Sequence, residues 1–151
     1  PHSPCAPTVY YGDEAGVCGF TDPDNRRTYP WGHEDKELID FHKAAIKMHK
    51  ENEVLRTGSY KQLYSAHNVI AYGRFTSDDA VIVVVNNGED EIRVNIPAWE
   101  TGLAMDDDVE QIMVTFEGGY STDRQGYRLK DGILNIGLRK TSATVLRRLR
   151  W

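Results

Sequence analysis

Residues 68–97 read NVIAYGRFTSDDAVIVVVNNGEDEIRVNIP. Three short runs rich in β-branched and aromatic residues are parted by two clusters of turn formers, TSDD and NNGED, which is the pattern of consecutive antiparallel strands. The middle run, AVIVVV, is apolar at successive positions rather than alternate ones, so both of its faces need cover. It is therefore predicted to be a central strand. Working outward, YKQLYS precedes this stretch, and EQIMVTF, GYRL, ILNIGL and ATVLRRL follow it, with KDG among the turns. Eight short runs at close spacing predict a mainly β domain, an antiparallel sandwich spanning residues 57–151.

Upstream of Gly58 the period changes. Leu38, Phe41, Ala45 and Met48 recur at three and four residues, with Ile39 and Ile46 widening the stripe, which predicts an amphipathic helix over about 35–56. Asp35 stands where an N-cap belongs and Gly58 where the helix should stop. His42 and His49 border the stripe with no carboxylate or thiol at ligand spacing, so they read as helix-face residues. Before the helix, residues 8–12 (TVYYG) read as one short buried strand, and 13–34 as a long loop rich in glycine, proline and polar turn formers. The first seven residues, PHSPCAP, hold three prolines and read as an irregular lead-in.

Composition excludes several classes of function. Eighteen basic against twenty-three acidic side chains give a net charge of −5, which repels nucleic-acid phosphates. The basic cluster RRLRW at the end alternates with leucine and reads as a solvated strand end. No apolar run approaches the roughly 18 residues that cross a bilayer, so no membrane partner is expected. Cys5 and Cys18 make neither a disulfide framework nor a zinc spacing, and are expected to be reduced thiols of a cytoplasmic protein. The DDD run at 106–108 lacks the ligand order of a calcium loop. No Ser–His–Asp or Cys–His arrangement stands at local spacing, and GGY at 118–120 does not make a phosphate loop. Metal and cofactor are both expected to be absent.

Two features suit a sugar. Tyr60, Tyr64, Tyr72, Trp99, Tyr120 and Tyr127 could stack on a pyranose ring, or could equally be the ordinary aromatics of a β-fold. In GFTDPDNRRTYPW, the Asp22–Pro23 step sets a turn and places Arg26 four residues from Asp22. Such a pair offers acceptors and fixed donors together, fit for vicinal hydroxyls. A turn held by an ion pair is the other reading.

The succession PTVYYGDEAG, GFTDPDNRR, YPW, an amphipathic helix and a β-sandwich resembles the C-terminal end of the α-amylase family of glycoside hydrolases, in the branch of neopullulanases, cyclodextrinases and maltogenic amylases. The ending LKDGILNIGLRKTSATVLRR resembles the closing strands of that family's domain C. The resemblance implies that residues 1–56 are the remnant of a (β/α)8 barrel (strand 8–12, loop 13–34, helix 35–56). It implies that 57–151 are a Greek-key sandwich. The Cys5 and Ala6 that precede Pro7 depart from the family's usual glycine and small residue.

The same resemblance places Asp13 and Glu14 beyond the last barrel strand, on the rim of the active face rather than in its chemistry. Retaining glycosidases need two carboxyls about 5 Å apart, and in this family these and an assisting aspartate stand in motifs resembling DGxRxD, a glutamate-bearing strand and NHD. None of these occurs here, so no catalytic residue is expected within the chain. Asp22 and Arg26 match the pair that in relatives binds a sugar unit on the non-reducing side of the cleaved bond, and Trp31 is expected to cap the loop. Implied partners are an α-glucan oligosaccharide and the rest of the barrel. Without it, the chain is expected either to self-associate through Tyr10, Tyr11 and the helix face or to fold the strand back onto its own sandwich. The alternative is a stand-alone carbohydrate-binding sandwich, which an exposed row of three aromatics would favour.

Overall fold

The computed structural model describes residues 7–149, so the lead-in 1–6 with Cys5, and the last two residues of the basic cluster, lie outside the described residues. The chain divides into two compact units, Pro1–Glu51 and Asn52–Trp151.

In the first unit the strand expected at 8–12 does not form. Residues 7–10 are irregular and a turn at 11–12 leads into a single 3-10 turn, Asp13–Ala15. A lone extended segment leaves its N–H and C=O groups without a ladder, and no strand among the described residues pairs with it. Gly12 (φ 89°) and Gly16 (φ 76°) bracket the 3-10 turn in left-handed conformations.

The helix comes in two pieces, α1 (Lys36–Glu51) and a single turn, α2 (Val54–Thr57). Asp35 caps α1 as expected, its Oδ1 accepting the Leu38 N–H at 3.0 Å. Leu38, Phe41, Ala45 and Met48 are half-buried, Ile46 is exposed, and no residue of α1 is fully buried. Gly58 ends α2 rather than the long helix, its N–H donating to the Val54 carbonyl. A Cβ there would lie 2.5 Å from that carbonyl oxygen and 2.9 Å from the Phe75 backbone nitrogen, so only glycine fits.

The described residues of the second unit form nine strands: β1 (Ser59–Ala66), β2 (Val69–Phe75), β3 (Ala80–Asn86), β4 (Ile92–Pro97), β5 (Asp108–Phe116), β6 (Gly119–Ser121), β7 (Gln125–Arg128), β8 (Ile133–Leu138) and β9 (Ser142–Arg148). All eight expected runs are strands. The ninth, β6, is three residues long and opens on glycine, too short to show a period. The first sheet runs β1-β2-β3-β9-β5-β6, with β7 also on β5, and the second is the antiparallel pair β4-β8. β3 lies between β2 and β9, with six of its seven residues buried, as a strand apolar on both faces requires.

Core side chains come from both sheets. Ile82, Val84 and Leu146 of the first join Val94, Ile96, Leu134, Ile136 and Leu138 of the second in one buried cluster. Burying such surface stabilises by about 25 cal/mol per Å². At the edge of this core Asn86 is 2% exposed, and its amide donates to the carbonyls of Asp90 (2.9 Å) and Arg139 (2.8 Å) while its oxygen accepts the Gly88 N–H (2.9 Å).

Candidate functional site

The paired carboxylates after the irregular segment serve the local backbone. Asp13 Oδ2 accepts the Tyr10 N–H at 3.2 Å, and Glu14 Oε2 accepts the Gly12 N–H at 3.0 Å. These bonds hold the turn into Asp13–Ala15.

The loop beyond is built from two interleaved acid–base pairs. Asp22, joined to Pro23 by a cis peptide bond, pairs through Oδ1 with Arg26 Nε at 2.8 Å. Backbone bonds from Asp24 N–H to the Thr21 carbonyl (2.8 Å) and from Arg26 N–H to the Pro23 carbonyl (3.0 Å) close the turns that carry them. Both side chains are exposed, 61% for Asp22 and 70% for Arg26. The pair is thus the one expected from spacing, and it stands in solvent, where its worth to stability is small.

The second pair, Asp24–Arg27, was not singled out in the sequence, although its three-residue spacing is legible inside DPDNRR. Arg27 Nη2 donates to both carboxylate oxygens (2.7 and 2.9 Å) and Nε to Oδ1 (2.9 Å). Asp24 Oδ2 also accepts the Phe20 N–H at 3.1 Å, and the Arg27 carbonyl accepts the Tyr11 hydroxyl at 3.0 Å. The loop is closed tightly at Gly19, where a Cβ would lie 2.7 Å from Asn25 Cα. The hydrogen bonds from Arg27 and then from the Phe20 N–H hold the Asp24 carboxyl below its ordinary range. Replacing Arg27 with glutamine is accordingly expected to move the Asp24 titration upward in an NMR pH series. Since a depressed carboxyl contributes stability that is lost as pH falls through its folded pKa, the loop of the variant should tolerate acid less differently from neutral pH than the parent loop does.

Trp31 does not cap this loop. It is 80% exposed, its ring 4.6 Å from that of Tyr29, and Phe20 stands out at 85%. The Tyr29 phenol is pushed up by desolvation and by the charges of Glu14 and Glu34.

No protein-family model matches the chain. By sequence it is 44% identical over 97 residues to an amylopullulanase of Thermoanaerobacter thermohydrosulfuricus, covering 57% of this chain and 7% of that enzyme. It is 42% identical over 83 residues to a cyclomaltodextrinase of Thermoanaerobacter pseudethanolicus, covering 54% and 14%. Over 100 residues it is 33% identical to neopullulanase 2 of Thermoactinomyces vulgaris, covering 64% and 17%. The chain is a homologue of the amylopullulanases, cyclomaltodextrinases and neopullulanases. Its fold agrees: an Anoxybacillus α-amylase superposes with a TM-score of 0.75 at 25% identity, over 94% of this chain and 28% of that one. The chain thus spans between 7% and 17% of the length of these sequence relatives.

On the sandwich of this α-amylase-family homologue the six aromatics do not form an exposed row. Only Tyr60 and Trp99 are exposed, while Tyr64 and Tyr127 pack on the core and Tyr72 meets Tyr60 at 5.5 Å between ring centroids. Burial raises the phenols of Tyr72 and Tyr127. Among the described residues no group of three His, Cys, Asp or Glu side chains could hold a metal ion. His42 Nδ1 lies 2.9 Å from the Leu38 carbonyl of its own helix. In the DDD run Asp106 and Asp108 pair with Arg128 (both 3.3 Å) and Asp107 with Arg148 (3.1 Å). Arg147, also in the basic cluster, lies on Glu110 at 2.7 Å. Cys18 is free and exposed, and among the described residues no helix is long and apolar enough to cross a membrane.

Proposed function

We propose that this chain is the C-terminal portion of a retaining glycoside hydrolase that cleaves α-glucans, made of the end of its (β/α)8 barrel and the sandwich that follows. In this reading Asp22 and Arg26 bind one glucose unit beside the scissile bond, while the nucleophile and the acid/base carboxyl stand in other parts of the barrel. The chain by itself performs no hydrolysis.

The observation that carries the reading is the exposed Asp22–Arg26 pair, set in a loop whose turns and second ion pair fix its backbone. Asp22 Oδ1 and Arg26 Nε face each other at 2.8 Å, with both side chains in solvent. The other carboxylate oxygen and the two terminal amino groups offer an acceptor and a fork of donors to the hydroxyls of a neutral sugar. Homology to amylopullulanases and cyclomaltodextrinases supplies the substrate class. The exposed Tyr10, Tyr11 and Ile46 fit barrel surface, and the isolated chain self-associates through them.

The test is Arg26→Ala and Asp22→Asn in the polypeptide encoded by the whole reading frame that contains this sequence. A charge-assisted hydrogen bond is worth about 1.5–3 kcal/mol. Removing one made equally to substrate and transition state raises KM about 10- to 100-fold with little change in kcat. An unchanged KM on maltodextrin in both variants would sink the assignment.

A further inference from the structure

The two sheets of the sandwich are unequal, and their mismatch leaves a site. The second sheet has two strands, so it cannot cover the inner face of a first sheet with six strands in line. Over β3 and the adjacent part of β9 that inner face is apolar and buried: Ile82, Val84 and Leu146. Toward β5 and β6 it becomes polar. Registered partners in a sheet share a face, so Ser121 of β6, Val114 of β5 and Thr144 of β9 form one row across three strands, and Gln111 and Gln125 form another. Tyr127, paired with the core residue Val109, lies on the same face. A closed sandwich would bury apolar side chains here. Instead these residues line a cleft of about 430 Å³, completed from β8 and the turn after it by Gly137 and Arg139.

The chemistry of this lining selects a neutral polyhydroxy ligand. Asp123 and Arg139 are its only charged residues, one of each sign, so no net field draws a phosphate or a cation. Gln111, Gln125, Ser121 and Thr144 add neutral donors and acceptors. The Gln111 amide is already oriented, its Nε2 donating to the Asp123 carbonyl at 3.1 Å, which leaves its oxygen as an acceptor. Phe116 and Tyr127 supply apolar wall, and the Arg139 guanidinium is held 5.4 Å from the centroid of the Phe116 ring. Desolvation raises the Tyr127 phenol, whose neutral hydroxyl is a further donor and acceptor. The volume falls in the range of small-molecule sites, about 300–1,000 Å³. Apolar walls for C–H faces beside convergent amide, hydroxyl, carboxylate and guanidinium groups are what a pyranose unit requires.

We infer that this cleft, bounded by Phe116, Asp123, Gln125 and Arg139, is a second saccharide-binding site, one that holds a segment of α-glucan on the sandwich and involves neither Asp22 nor Arg26. The choice of α-glucan rests on the proposed function; the choice of a neutral saccharide rests on the cleft alone. Bound there, a long polymer stays attached to the protein between cleavage events, raising its effective concentration at the barrel.

The 151-residue chain is titrated with maltoheptaose and, separately, with cellohexaose, by calorimetry and by amide chemical-shift mapping. Saturable binding of maltoheptaose is expected, with shifts concentrated at residues 116, 121–127 and 139. Arg139→Ala and Gln125→Ala, both at exposed side chains, should each weaken it by about tenfold without lowering the melting midpoint. Tyr60→Ala, at an exposed aromatic outside the cleft, should leave it unchanged. No saturable binding of either sugar, or binding indifferent to both cleft variants, overturns the site. Cleft binding of cellohexaose alone overturns the α-glucan assignment. If the complete polypeptide proves inactive on α-glucans while maltoheptaose still maps to the cleft, the proposed function falls and the cleft stands.

Discussion

Replacing Asn86 with aspartate is expected to destabilise the strand unit by about 3–5 kcal/mol, the range for a buried charge left without its partner. Asn86 ends β3, and its amide hydrogens satisfy the carbonyls of Asp90 and Arg139. It ties the β3–β4 connection to the turn between β8 and β9, 53 residues away in sequence. Aspartate keeps the shape but has no N–H to give, so a carboxylate would face two carbonyl oxygens in a site only 2% exposed. Such a carboxyl is pushed above its unfolded value of about 3.9. A raised folded pKa means that the folded state binds the proton more readily, so the deficit shrinks as pH falls and grows as pH rises through that pKa. Urea unfolding at about pH 5 and pH 8 reads both effects. A loss under about 1 kcal/mol, equal at the two pH values, would contradict the role given to Asn86.

Leu134→Ala is expected to cost about 2–5 kcal/mol. Leu134 is fully buried on β8, opposite Ile96 in register, where the small sheet meets the large one. Truncation leaves a cavity between layers that cannot collapse without moving both. The contrast is Phe20→Ala, at a ring 85% exposed, which should shift stability by under about 0.5 kcal/mol. Urea midpoints of the two variants decide whether the cooperative core belongs to the strand unit. Equal losses would mean that the aromatic loop shares that core.

The strands were legible because burial imposes a pattern. AVIVVV could only be a strand with neighbours on both sides and cover on both faces, and β3 has all of these. The β2–β3 hairpin was equally plain, since TSDD marks where the chain reverses, whereas NNGED carries the chain from β3 in the first sheet to β4 in the second, a crossover that the turn residues do not distinguish from a hairpin. Three residues of β6 carry no such signal, and the split of the helix at 52–53 left none either: the apolar period runs on through Leu55 while the backbone breaks. The strand expected at TVYYG failed for a different reason. Its composition suits a buried strand, but strand structure belongs to a pair, and its partner cannot be read from the segment itself.

The loop was half legible. The spacing of Asp22 and Arg26 predicted their contact, and the contact is there at 2.8 Å. Asp24–Arg27 escaped notice because two pairs overlap in six residues, and only geometry says which acid meets which base. The cleft could not be read at all. Its polar residues alternate with apolar ones as on any half-exposed strand, and only the size mismatch between the sheets turns that face into a site.

We propose that this chain is part of an α-glucan hydrolase whose catalytic carboxyls lie outside it. The most direct measurement compares reducing-sugar release from pullulan, maltodextrin and β-cyclodextrin by two samples: the 151-residue chain and the product of the complete reading frame. Turnover by the complete product on at least one of these substrates, and none by the chain alone, is the expected result. Turnover by the chain, or a folded complete product that cleaves none of the three, would contradict it.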